Sequence, residues 1–510
     1  MDAASRVAVN TIAQYVKTVF SVVVSLYTSR IILDNLGISD FGIYDLVGGI
    51  IALFSFVNLT LSTTTQRYLS YHQGKNDLPM SIKIFNNSFI TQIAIAGFLC
   101  LLMLSLTHPI FDHLLRIEPE RIHAAYFVYY CMVATLFLNF LSVPYQALLI
   151  AHENIVYSSI VVMCESVLKI PVAFSLAWAP FDRLEWYALC VLLMFVPTFF
   201  AYYIYCRKKY VECQHVTMRS FDKNLFKEMF SFTGWTLYGT ACVVGRNRGL
   251  AIIINNFFTT AMNGAMGIGN QVSGYLSFLS TSLTNSMRPQ IVKAEGAGNR
   301  KKMLRLSEIC CKASLVLMTL IAMPAIFEMD DLMALWLVDV PAYAVFFARA
   351  FVLSAWIDQF TVGLSVANAA VGNVKAFQVV TNTVKVLALP VIIVFLKIGF
   401  AVEYVMAVYI LFEIICSCIR LFMLRRSVGL SIKSFGRNVV IPLIVPILAT
   451  GCACFYLSPM FDGWKCLFSF VISPILVLSL TYVMGLKEDE KSKIIALLSG
   501  KIPFIRIKQS

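Results

Sequence analysis

Eight ionisable side chains stand inside stretches of this 510-residue chain that are otherwise apolar: Lys17, Glu165, Lys169, Arg246, Arg248, Asp358, Lys385 and Glu413. A charge at bilayer depth costs several kcal/mol, so each one calls for a partner, a wet cavity or a task. Lys17, Arg246 and Arg248 would make a cationic lining, together with Lys169 and Lys385. Such a lining suits an anionic substrate such as a phosphate or pyrophosphate, which guanidinium groups grip in bidentate fashion. Residues two apart point about 200° apart on a helix, so Arg246 and Arg248 cannot both face one cavity. The competing reading is that one or both snorkel to the membrane edge. Glu165 and Lys169 are four apart and can neutralise each other on one helix face. Glu413 can pair with Lys385 across two neighbouring spans. Asp358 has no partner close in sequence. It is therefore the first candidate for a carboxylate that exchanges a proton or binds a sodium ion, with Glu165 and Glu413 behind it.

The elements that must position these groups are membrane helices. The chain is 59% hydrophobic and only 14% charged, with a mean hydropathy of +0.77. Soluble chains are about 25% charged. Measured against the ~20 helical residues that cross a bilayer, fourteen spans are expected, from about 8–33 to about 464–486. The fold class is thus an all-α polytopic membrane protein. Secreted, disordered and nucleic-acid-binding readings are excluded, and no loop is long enough for a soluble domain. Most of the 41 lysines and arginines fall on alternate loops. These include Arg67, Lys75 and Lys83; Arg207 to Lys209 with Arg219; Arg300 to Arg305 with Lys312; Arg420, Arg425 and Arg426; and the tail with Lys493, Lys501, Arg506 and Lys508. The opposite loops are acidic, as at Asp34, Asp40, Glu118 and Glu120. By the bias of basic loops towards the cytoplasm, both termini are expected inside.

Other chemistries find little support. The 14 cysteines lie mostly within apolar runs and form no C-x-x-C pair, so they read as packing residues. The six histidines are scattered and give no metal motif. No nucleophile–base constellation is visible, so no enzyme and no cofactor is expected, beyond coupling to H+ or Na+.

A shift of 221 residues places Asn35 on Asn256 and Arg67 on Arg288, and a shift of 219 places Asn154 on Asn373, Pro171 on Pro390 and Arg207 on Arg426. Basic, glycine-containing loops follow in both copies. Spans 1–6 and 7–12 thus read as two parallel six-helix repeats, with two appended helices. The expected divisions are 1–220, 221–430 and 431–510. Two bundles of one orientation, rocking about a seam, are a known route to alternating access.

The run RIILDNLGISDFGIYDLVGG from Arg30, then Arg67 and Gly74-Lys75, resembles the first hairpin of bacterial polysaccharide repeat-unit flippases. Arg288-Pro289 with Gly296 and Gly298 resembles the equivalent in the second half. The same segments resemble drug and lipid-precursor exporters of the multidrug/oligosaccharidyl-lipid/polysaccharide superfamily. The resemblance implies a flippase in the bacterial cytoplasmic membrane that moves undecaprenyl-pyrophosphate-linked oligosaccharide for a surface polymer such as O-antigen. Its partners would be that anionic lipid-linked cargo, membrane lipids and other polysaccharide-assembly proteins. The alternatives are a cation-coupled multidrug exporter of the same superfamily, which would favour acidic cavity groups, and a membrane glycosyltransferase or polymerase of the same pathway.

Overall fold

The computed structural model describes residues 3–52, 54–111, 117–214, 221–337, 339–456, 465–488 and 490–492, and within them every regular element is a helix. Arg116, Arg219 and the basic tail from Lys493 onward lie outside the described residues. The main helices are α1 (Ala3–Ala52), α2 (Ser55–Gly74), α3 (Leu78–Ser105), α4 (Ile122–Ala151), α5 (Ile155–Ser175) and α6 (Arg183–Lys209). They continue with α7 (Lys223–Phe257), α8 (Thr260–Gly296), α9 (Arg300–Phe327), α10 (Ala344–Gln359) and α11 (Val362–Val371). The last four are α12 (Val374–Lys397), α13 (Val402–Val428), α14 (Ile441–Tyr456) and α15 (Lys465–Leu480).

Local chemistry marks the helix ends. Asp77 accepts from Met80 N at the start of α3, and Asp182 accepts from Leu184 N and Glu185 N at the start of α6. Asn299 caps α9 through Lys302 N. These are the side-chain acceptors that the first, orphaned N–H groups of a helix require. Gly37 interrupts α1 at φ +79, a backbone conformation without steric cost only for glycine. The first two expected spans are therefore one long helix broken at Gly37, followed by α2.

The expected count of fourteen crossings is met in part. Among the described residues nine helices are long and apolar enough to cross a membrane, or ten if α10 and α11, bent by 46°, form one broken span. Helix is present along the other expected stretches, but α2, α7 and α8 are rich in glycine, hydroxyl and amide side chains. Their apolarity is too diluted to mark them as spans.

Two compact units divide the chain. Ala8–Leu237 form an N-terminal unit; Tyr238–Ser510 with Met1–Val7 form a C-terminal one. The division falls within α7, and the stretch set apart above as 431–510 clusters with the C-terminal unit. In the N-terminal unit, Val47, Val128, Tyr129, Leu176 and Leu184 build an apolar core. In the C-terminal unit, Ile254, Phe347, Ile392 and Val405 do the same. Large side chains such as Leu26, Leu101, Phe422 and Leu448 are exposed at more than half of their surface, as helices solvated by acyl chains require. Asn154 and Asn373 occupy the N-caps of α5 and α12, and Pro171 and Pro390 lie within those same helices, a local correspondence between matched positions.

Candidate functional site

In the N-terminal unit, α1 carries a polar stripe. Asn10, Gln14, Lys17, Ser21, Ser25 and Thr28 follow one another at steps of three or four residues, the spacing of one helix face. At ~1.5 Å per residue the stripe is about 27 Å long, close to the ~30 Å of a hydrocarbon core. It faces inward. Asn10, Gln14 and Thr28 are buried, whereas Val19, Val23 and Leu26 on the other side are 59–70% exposed. Asn10 Nδ2 donates to Glu153 O at 2.8 Å, and Ser21 Oγ meets Ser166 Oγ of α5 at 2.9 Å. Lys17 is half-buried and has no hydrogen bond or ion pair among the described residues. Elsewhere in the N-terminal unit, interior amides on α2 and α3 are also short of protein partners: Asn58 Oδ1, Gln66 Nε2 and both terminal atoms of Gln92. Buried polar atoms of this kind are normally satisfied by water or by a ligand.

Towards its Gly37 end the stripe opens on a cavity of about 290 Å³. Ser25, Thr28 and Ser29 of α1 line it, with Tyr44, Lys169 of α5 and Tyr187 of α6. The expected Glu165–Lys169 ion pair does not form: the two are one turn apart and half-buried, with no contact between their charged ends. The spacing permits the pair, but Lys169 lines the cavity instead. The end of the unit near this cavity is tied by Arg121. Its Nε donates to Asp40 Oδ1 at 2.8 Å and its Nη1 to Asp182 Oδ2 at 2.6 Å. The Asp182 carboxyl lies below its ordinary value. Partial burial pushes it up, but the Arg121 hydrogen bond and the N–H groups of Glu185 and Leu184 outweigh that.

The C-terminal unit gathers four of the eight charges into one buried cluster. Arg246 Nη1 of α7 donates to Glu413 Oε2 of α13 at 2.9 Å. Lys385 Nζ of α12 lies 2.6 Å from Glu413 Oε1 and 3.6 Å from Asp358 Oδ1 of α10. Asp358 Oδ1 also accepts from Arg420 Nη1 at 2.7 Å. The Arg246 guanidinium sits 4.2 Å from the centre of the Tyr409 ring. Asp358, which has no partner close in sequence, finds two cations on other helices, Lys385 of α12 and Arg420 of α13. Arg420, counted above with the cytoplasmic basic residues, is buried and donates to Thr361 Oγ1 as well. Lys312 from the same group is buried too, between Gly485 O at 3.0 Å and Glu490 Oε2 at 2.8 Å. Arg246 is therefore committed to Glu413 and is not a free cationic lining residue, while Arg248 is exposed, as a step of two residues along a helix demands.

Sequence reasoning missed Arg420, Tyr409 and the hydroxyl half of the α1 stripe. A signal existed for each: Arg420 is seven residues after Glu413, two turns along one face, and the serines continue the step that starts at Asn10. No group of three or more metal-ligating side chains occurs among the described residues.

No family model matches the sequence, and no curated protein is significantly similar to it. Solved structures do match in fold. A MATE transporter in its bent conformation aligns with a TM-score of 0.74 over 86% of this chain and 97% of its own, at 11% identity. A MATE transporter from Vibrio cholerae aligns at 0.69 and 14% identity, covering 84% of this chain and 97% of its own. A MOP-superfamily transporter from Pyrococcus furiosus, in which reverse polarity of the binding pocket suggests a different function, aligns at 0.69 and 12% identity, covering 84% and 96%. The chain therefore has the fold of MATE transporters.

Proposed function

We propose that this chain is a membrane carrier that works by alternating access and takes an anionic amphiphile as cargo, an undecaprenyl-pyrophosphate-linked oligosaccharide in the bacterial cytoplasmic membrane. The observation that carries the reading is the α1 stripe. A polar track about as long as a bilayer is thick faces inward, holds the unpaired Lys17 and ends at a cavity whose one charged lining residue is Lys169. A phosphate and sugar head group needs a wet, positive path; a polyprenyl tail needs none and can stay in lipid. Both termini would be cytoplasmic, and the product would serve a surface polymer together with other polysaccharide-assembly proteins.

The second reading is a cation-coupled multidrug exporter. Several structures with this fold are multidrug or MATE transporters, which taken alone favours it. The sign of the charge in the N-terminal unit speaks for the first reading, and the Pyrococcus furiosus transporter already ties pocket polarity to function within this fold. For ion coupling, Asp358 and Glu413 hold their own cations, which leaves half-buried Glu165 as the carboxylate best placed to exchange H+ or Na+. A membrane glycosyltransferase or polymerase finds no support in the side chains described.

Reconstitution decides between these readings. Full-length protein in proteoliposomes should move a fluorescent undecaprenyl-pyrophosphate oligosaccharide between leaflets. Lys17→Glu should abolish that movement at unchanged protein incorporation. Absence of lipid movement, together with expulsion of a cationic dye under a proton gradient, would establish the exporter instead.

A further inference from the structure

We propose that the cavity beside Lys169 is a recognition pocket for a single acidic monosaccharide, a carboxylated pyranose unit of the cargo. The proposal rests on the flippase reading and specifies what one part of the cargo must carry. Size comes first. About 290 Å³ lies close to the lower end of the roughly 300–1,000 Å³ of small-molecule sites. That is room for one sugar ring, not for a polyprenyl chain or a polyaromatic drug.

The lining chemistry is that of a sugar acid. Lys169 brings an ammonium with no hydrogen bond or ion pair among the described residues, so it has three donors available for a carboxylate. Ser25 and Ser29 carry hydroxyls one turn apart on α1, with no partner among the described residues, to meet ring hydroxyls. Thr28 donates to Val24 O at 2.9 Å, which leaves its oxygen as an acceptor. Tyr44 and Tyr187 stand with ring centres 4.7 Å apart, and Phe195 also lines the cavity. Aromatic surface of this kind packs against the C–H face of a pyranose, while the phenol groups supply further hydrogen bonds. A bare inorganic anion would use Lys169 and leave the aromatic wall idle. A neutral sugar would use the wall and leave the ammonium without a hydrogen-bonded anion. Only a ligand with both parts satisfies the whole lining.

The test uses full-length protein in nanodiscs and three probes: glucuronate, glucose and inorganic phosphate, with binding followed by saturation-transfer NMR and competition. Glucuronate should bind in preference to the other two. Lys169→Met should weaken glucuronate by about tenfold or more, the worth of a charge-assisted hydrogen bond, and leave glucose unchanged. Lys169→Arg should retain most of the preference, which guards against a variant that merely misfolds, and Thr28→Val should weaken glucuronate and glucose alike. Phosphate competing as well as glucuronate, or equal glucuronate binding in wild type and Lys169→Met, would overturn the assignment. Transport separates this inference from the reading beneath it. Equal flipping of acidic and neutral lipid-linked oligosaccharides by wild type and Lys169→Met sinks the pocket and spares the flippase. Glucuronate binding without any lipid movement does the reverse.

Discussion

Lys385 holds its ammonium between two carboxylates that come from different helices, and each carboxylate also meets an arginine. Three cations and two anions share that buried space, so every member depends on its neighbours. Removing one partner of such a network leaves an uncompensated charge in low dielectric, at about 3–5 kcal/mol; removing a matched pair costs far less. Glu413→Gln should lower the unfolding midpoint of the purified protein sharply, because it leaves Arg246 and Lys385 without their shared carboxylate, and adding Arg246→Met should recover a large part of that loss. Additive losses in a thermal-melt double-mutant cycle would mean that the two groups are not coupled. The same reasoning redirects the search for cargo ligands from Arg246 to Lys17 and Lys169, half-buried cations with no hydrogen bond or ion pair among the described residues.

Among the elements, α1 carries the most meaning. Its polar stripe, its break at Gly37 and the clamp of Asp40 by Arg121 follow one another along a single helix. The clamp joins that helix to the cap of α6 through Asp182. The Asp182 carboxyl is held below the ordinary aspartate value of 3.8, so the folded chain binds fewer protons here than the unfolded one. The clamp's contribution is therefore complete above that ordinary value and fades as pH falls through the lowered one. Melting midpoints collected from about pH 6 down to about pH 3, a range that brackets ordinary carboxylate titration, should fall steeply at the acid end for the wild type. Arg121→Gln should flatten that fall, because Asp182 then titrates nearer its unfolded value. An identical acid profile in the variant would remove the clamp from the account.

For the molecule as a whole, the basic loops and the clamp are expected on opposite faces of the membrane. In a background without native cysteines, Asn76→Cys and Gly298→Cys should resist an impermeant thiol reagent added outside intact cells, and Glu120→Cys should react. Labelling of all three, or the reverse pattern, would contradict the proposed orientation.

Composition and periodicity by themselves determined that this chain is built of helices in lipid, because backbone groups without water must bond within their own segment. They also picked out the eight charges, since a charge stands out in an apolar run whatever it later touches. The helical step that places Asn10, Gln14 and Lys17 on one side is equally local, as is the separation of Arg246 from Arg248. Only the tertiary structure decided partnership: that Asp358 belongs to Arg420 and Lys385, that Glu165 and Lys169 stand apart, and that Lys169 lines a cavity. A helix face follows from nearest neighbours along the chain. Which faces meet depends on contacts between residues scores of positions apart, and no local pattern encodes those.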